Sequence, residues 1–97
     1  MINVRVKPFF GIKEIIGRTS LELQVEEGTT IKGLLDQLIE NSRPALKKAL
    51  IDPETNNLYS FYRIIVTGRD TNYLPEGLNT LLREGDVVSI LQAAVGG

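Results

Sequence analysis

The residues of this chain whose types point to chemistry are the last seven, Leu91-Gln92-Ala93-Ala94-Val95-Gly96-Gly97. After Gln92 the side chains are small or absent, so the segment is thin enough to thread a narrow channel. Gly97 would carry a carboxylate on a residue with no Cβ, open to attack from any side. A carboxylate does not react at neutral pH until something activates it, and the usual activator is adenylation by ATP. On this reading Gly96 and Gly97 are the substrate of another protein's active site. Small residues are also common at chain ends. A Gly-Gly pair arises there by chance about once in two hundred chains, so the rest of the sequence has to decide.

Composition narrows the possibilities. Ninety-seven residues with 42% hydrophobic and 24% charged content make one ordinary globular domain, and the net charge of −1 leaves no electrostatic footprint for nucleic acid. No apolar run is long enough to span a membrane. The alternating start Met1-Ile2-Asn3-Val4-Arg5-Val6 lacks the apolar centre of a signal peptide, which points to the cytoplasm. Cysteine and histidine are absent. That excludes disulfides, the usual zinc and iron–sulfur sites, and Ser-His-Asp or Cys-His nucleophiles. No metal or cofactor is expected on this chain.

The elements that would position the tail can be read in order. Residues 2–9 alternate as a strand, with Ile2, Val4 and Val6 on one face, until Pro8 ends regular pairing. Residues 10–18, bracketed by Gly11 and Gly17, are long for a hairpin loop, and a short helical turn would tuck in Ile12, Ile15 and Ile16. A second strand spans 19–25. Thr29 or Thr30 N-caps a helix whose Ile31, Leu34, Leu35, Leu38 and Ile39 form one apolar stripe. Gly33 within it leaves room for close packing on the sheet. Pro44 opens a short second helix through about Leu50. Its Arg43, Lys47 and Lys48 read as a solvated face, with a docking patch as the alternative. Residues 52–57 form a turn-rich loop, and 61–67 a strand stopped by Gly68. Residues 69–79 are irregular, anchored by Tyr73 and Leu74. Gly85 turns the chain into a last strand, 87–91.

A stripe-bearing helix needs a sheet face to bury against. One helix on one face of a small mixed sheet gives an α+β, β-grasp arrangement, with the last strand central and parallel to the first. The whole chain, 1–97, is then one domain with 92–97 as a flexible tail. If Ile2, Val4, Val6, Ile64, Val66, Val88 and Ile90 face the helix, then Phe61, Ile65, Val87 and Leu91 face away from it. Four large apolar groups beside the tail root would mark a partner surface unless residues 10–18 or a second copy cover them.

These residues resemble the ubiquitin-like sulfur-carrier family, which includes the small subunit of molybdopterin synthase and the thiamine sulfur carrier. The resemblance rests on Gly17, the Gly28-Thr29-Thr30 helix start, Ile64-Ile65-Val66-Thr67-Gly68-Arg69, Glu84-Gly85-Asp86-Val87-Val88, and the closing Gly96-Gly97. Thr67 stands where the family often has Asn, and Gln92-Ala93-Ala94 where it commonly has proline. The stretch from Leu50-Ile51-Asp52-Pro53 to Phe61, with Leu78-Asn79-Thr80, is similar to the carriers of cysteine biosynthesis. The resemblance implies a cycle in which an enzyme similar to ubiquitin-activating enzymes adenylates Gly97 with ATP. A sulfur donor then displaces AMP to leave a thiocarboxylate, and a downstream synthase accepts the sulfur for a cofactor such as molybdopterin, for cysteine or for a tRNA base. In some relatives the carboxylate is joined to lysines instead. Val95 and Gly96 would lie in the activating enzyme's channel, with Ile65, Leu91 and Phe61 as its docking surface.

Two other readings use the same residues. A plain β-grasp interaction module would need the apolar face but no free terminus. An autonomous enzyme would rest on Asp52, Asp70 and Asp86, which fall in turns where aspartate serves the backbone.

Overall fold

Alternation in the first strand holds along its whole length. The computed structural model describes residues 1–92, and in it β1, Ile2–Pro8, buries Ile2, Val4, Val6 and Pro8 and exposes the residues between. Two short elements follow, α1 (Phe10–Ile16) and β2 (Leu21–Val25). Then come α2 (Ile31–Glu40), α3 (Pro44–Leu50), and the two-residue strands β3 (Ile51–Asp52) and β4 (Asn57–Leu58). The chain continues with β5 (Tyr62–Val66), β6 (Arg69–Asp70) and β7 (Val87–Gln92). The main sheet has the order β2-β1-β7-β5-β6. Its central strand, β7, runs parallel to β1 and antiparallel to β5. Helices on one face of this mixed sheet make the β-grasp arrangement expected from the pattern.

Residue types account for the helices. The α2 stripe sits in the core: Ile31, Leu34, Leu35 and Leu38 are buried, and Ile39 is half-buried against them. Thr30 is the cap, its Oγ1 accepting from Gly33 N at 3.0 Å, a bond worth about 1 kcal/mol. Gly33 does not face the sheet as expected. A Cβ there would meet the Thr29 methyl at 3.3 Å and the Thr30 hydroxyl at 3.4 Å, so its small size serves the cap. The residues expected to form a helical turn make α1, two turns closed by Gly17 at φ 82°. Ile12 enters the core and Ile15 and Ile16 pack against it, so this segment lies with the helices and does not cover the other sheet face.

Two expectations need correction. The expected loop 52–57 is shorter: Asp52 and Asn57 pair as strand ends of a small β3–β4 hairpin, and residues 53–56 make its turn. Tyr73 is no anchor, being 81% exposed, and the buried residue of that stretch is Thr71. Asp70 holds the 3-10 turn Thr71–Tyr73 by accepting from Asn72 N at 2.9 Å. No helix of the described residues is long and apolar enough to cross a membrane.

The start of β7 is fastened on both sides. Gly85 N donates to Asn3 O at 2.8 Å and Arg5 N to Asp86 O at 2.9 Å, tying the turn to β1. Thr67 Oγ1 donates to Asp86 Oδ1 at 2.7 Å, while Arg83 N donates to Asp86 Oδ2 at 2.8 Å. Thr67 and Gly68 join β5 to β6 as a two-residue hairpin turn with φ 49° and 84°. Positive φ at both positions is the type I′ pattern, which favours Asn-Gly and strains a β-branched residue. The hydroxyl's bond to Asp86 offsets that strain. Thr67→Val keeps the branching and deletes the hydroxyl, so it should lower the unfolding free energy by about 1–2 kcal/mol in denaturant titration. Thr67→Asn, which accepts positive φ more readily, should lose less.

Candidate functional site

Gly97, Gly96 and Val95 lie outside the described residues, which end at Gln92, the last residue of β7. The last two residues of β7 are held by β5, with Leu91 opposite Arg63 and Gln92 opposite Tyr62. On the other side Pro8 pairs with Ile90, and Phe9 N donates to Ile90 O at 3.2 Å. The root of the tail therefore leaves from between the end of β1 and the beginning of β5, on a strand hydrogen-bonded along both edges.

The helix-facing set is as expected: Ile2, Val4, Val6, Ile64, Val66, Val88 and Ile90 are all buried. The opposite face differs from the expected patch of four. Ile65, Val87 and Leu91 are half-buried there, and the register separates them. Ser89 stands opposite Ile65, Arg63 opposite Leu91, and Arg5 opposite Val87. Cross-strand neighbours sit about 5 Å apart, so the apolar groups are islands beside polar and cationic side chains. Arg5 is paired with Glu22 at 2.6 Å and Arg63 with Asp70 at 2.9 Å. The hydrogen bond from Arg63 to Asp70 holds the guanidinium further toward its charged form.

Phe61 is not part of the strand. It sits just before β5, its ring 5.0 Å from that of Tyr59 and 4.8 Å from that of Tyr62. Two further aromatics at this end of the sheet escaped the sequence reading. Phe9 is 39% and Phe10 71% exposed, and Phe10 has φ 50°. A positive φ is an outlier for so bulky a residue. The signal for them is the pair Phe9-Phe10 directly after Pro8, outside the alternation of the strand. Phe9 and Phe61 thus flank the end of β7, one after the residue paired with Ile90 and the other before the residue paired with Gln92.

The acidic residues considered for catalysis are taken up by the backbone. Asp52 Oδ1 accepts from Glu54 N at 2.9 Å, Asp70 holds its 3-10 turn, and Asp86 holds the start of β7. Among the described residues no group of three or more His, Cys, Asp or Glu could hold a metal ion.

Burial pushes the Tyr62 hydroxyl above the usual phenolic range, and neighbouring Tyr59 adds to it. Folding then favours the neutral phenol. The contribution is complete below the unfolded-state value near pH ~10 and is lost as pH rises through the folded-state value. Denaturant midpoints measured between about pH 9 and pH 11 should fall with pH, and Tyr62→Phe should flatten that fall.

The ThiS family profile matches residues 9–97. No curated protein sequence matches the chain. The small archaeal modifier protein 1 of Methanosarcina acetivorans is 30% identical with a TM-score of 0.83, over 100% of this chain and 98% of that one. A chain of the BexX/CysO complex of Amycolatopsis orientalis is 26% identical with a TM-score of 0.71, over 97% and 99%. A putative molybdopterin converting factor subunit 1 from Pyrococcus furiosus, 21% identical with a TM-score of 0.75 over 97% and 100%, shares the fold. The chain has the ubiquitin-like β-grasp fold of the sulfur carriers and belongs to the ThiS family.

Proposed function

We propose that this protein is a sulfur carrier whose reactive group is the carboxylate of Gly97. The observation that carries the reading is the family match, which runs through the central strand β7 and over Gly96 and Gly97. A carboxylate oxygen attacks the α-phosphorus of ATP in the active site of an adenylating partner, and pyrophosphate leaves. Hydrosulfide released by a sulfur donor then attacks the acyl carbon, AMP leaves with the C–O bond electrons, and the resulting thiocarboxylate goes to a sulfur-accepting synthase in the cytoplasm. The chain supplies no catalytic group. Val95 and Gly96 thread the partner's channel, while Phe61, Ile65, Val87 and Leu91 dock against it beside the tail root. Conjugation of Gly97 to lysines is the second reading, favoured by the 30% identity to a protein named a modifier.

The intact mass of the untagged protein from its own cells, charged with its activating enzyme, ATP and a sulfur donor, tests the reading. A gain equal to one oxygen-for-sulfur exchange in the C-terminal peptide is expected. An unmodified acid after that treatment overturns it, and an isopeptide to lysine moves the weight to the modifier.

Docking is tested at Ile65. An aspartate there would face Asp70, its cross-strand partner, so a failure to fold would confuse the result. Ile65→Lys places a cation opposite that carboxylate and should fold at a cost of about 1 kcal/mol or less. Adenylation, followed by pyrophosphate release, should drop by at least about tenfold, equivalent to ~1.4 kcal/mol of transition-state binding. Unchanged adenylation would remove Ile65 from the docking surface.

A further inference from the structure

The five-stranded sheet has two edges, β6 and β2. The first is two residues long. The second is five residues, Leu21–Val25, and among the described residues it is hydrogen-bonded on one side only, to β1. Such a strand leaves outward N–H and C=O groups able to pair with another strand. Beside this edge, on the helix side of the sheet, lies a groove of about 350 Å³. Its floor is apolar: Ile15 and Ile16 from α1, Leu21 and Leu23 from β2, and Leu38 from α2. Leu21 and Leu23 are only half-buried, so the floor is incompletely covered by the chain itself.

The rim has one sign of charge. Arg18, just before β2, and Arg43, just before α3, both line the groove, and no carboxylate does. Among the described residues neither arginine belongs to an ion pair, whereas Arg5, Lys32 and Arg63 each do. Residues 41–50 add Lys47 and Lys48 and contain no acidic residue, although the whole chain is net −1. An apolar trough, a free strand edge and uncompensated guanidinium groups coincide at one place. They ask for an extended occupant with alternating apolar side chains and carboxylates at its flank.

We propose that this groove and the edge of β2 receive an extended apolar–acidic segment of another protein, added to the sheet as a sixth strand. Its backbone pairs with β2. Its apolar side chains, two residues apart, drop between β2 and the last turn of α2. Its carboxylates meet Arg18 and Arg43. This surface lies on the opposite face of the sheet from Ile65 and Leu91, so it can be occupied while the tail is engaged elsewhere. The proposal does not depend on the chemistry assigned to Gly97.

The test is a titration of the isotope-labelled full chain, followed through its backbone amides, with three synthetic peptides of about eight residues. One alternates valine or isoleucine with polar residues and ends in aspartates. The second replaces the aspartates by lysines, and the third replaces the apolar residues by serines. Saturable shifts confined to β2, the α1–β2 connection and the end of α2 are expected with the first peptide only. Arg18→Glu combined with Arg43→Glu, both exposed positions, should weaken that binding by at least about tenfold without altering the fold. Equal binding of the basic peptide, shifts centred on Ile65 and Leu91, or no saturable shift up to about 1 mM would overturn the proposal. Concentration-dependent shifts of β2 without peptide would overturn it in favour of a second copy of this chain.

Discussion

The structure depends on the hydrogen bonds that set the start of β7. Gly85 and Asp86 are tied to Asn3 and Arg5 on one side, and Asp86 to Thr67 on the other. From that clamp the register follows on both flanks: Arg5 opposite Val87, and Val66 opposite Val88. A slip of one residue would turn Val88 and Ile90 away from α2 and bring Val87, Ser89 and Leu91 into the core. The clamp therefore decides at once what fills the core, what faces outward beside the tail and where the tail begins.

Much of this was legible in residue order. Period-two alternation in β1, the stripe of α2 and the threonine cap each reflect a local rule that tertiary contacts reinforce. Elements of two residues, such as β3, β4 and β6, are too short to carry a period. Tyr73 misled because an aromatic between polar residues looks like an anchor, and here its backbone is fixed by Asp70 while the ring is left out. Thr67 gave no sign of its left-handed backbone, since a β-branched residue is the wrong type for it. Only the neighbouring Asp86, nineteen residues on, makes it tolerable.

The candidate site was legible in kind and coarse in detail. Strand parity assigns Ile65, Val87 and Leu91 to one face, but it cannot say that Ser89 and arginines stand between them. That is a matter of register between strands far apart in sequence. Phe9 and Phe10 stand out in the sequence only as a pair after Pro8, and they gain significance because β1 ends beside Ile90. The groove at β2 lies at the same limit, since its walls come from two stretches, 15–23 and 37–43, that only the fold brings together.

Pairing the first strand with the last has a cost in assembly. Asn3 and Glu84, which bond at 3.0 Å, are 81 residues apart in the chain. The centre of the sheet stays vacant until residues 87–92 arrive, leaving β1 and β5 with facing unpaired edges. Such a topology has high contact order, folds slowly and is exposed to aggregation on the way. During synthesis β7 leaves the ribosome after both of the strands it must join, so the native sheet closes in a late, all-or-none event. A single cut within residues 87–92 would open the centre of the sheet, because β1 and β5 are joined only through β7 among the described residues.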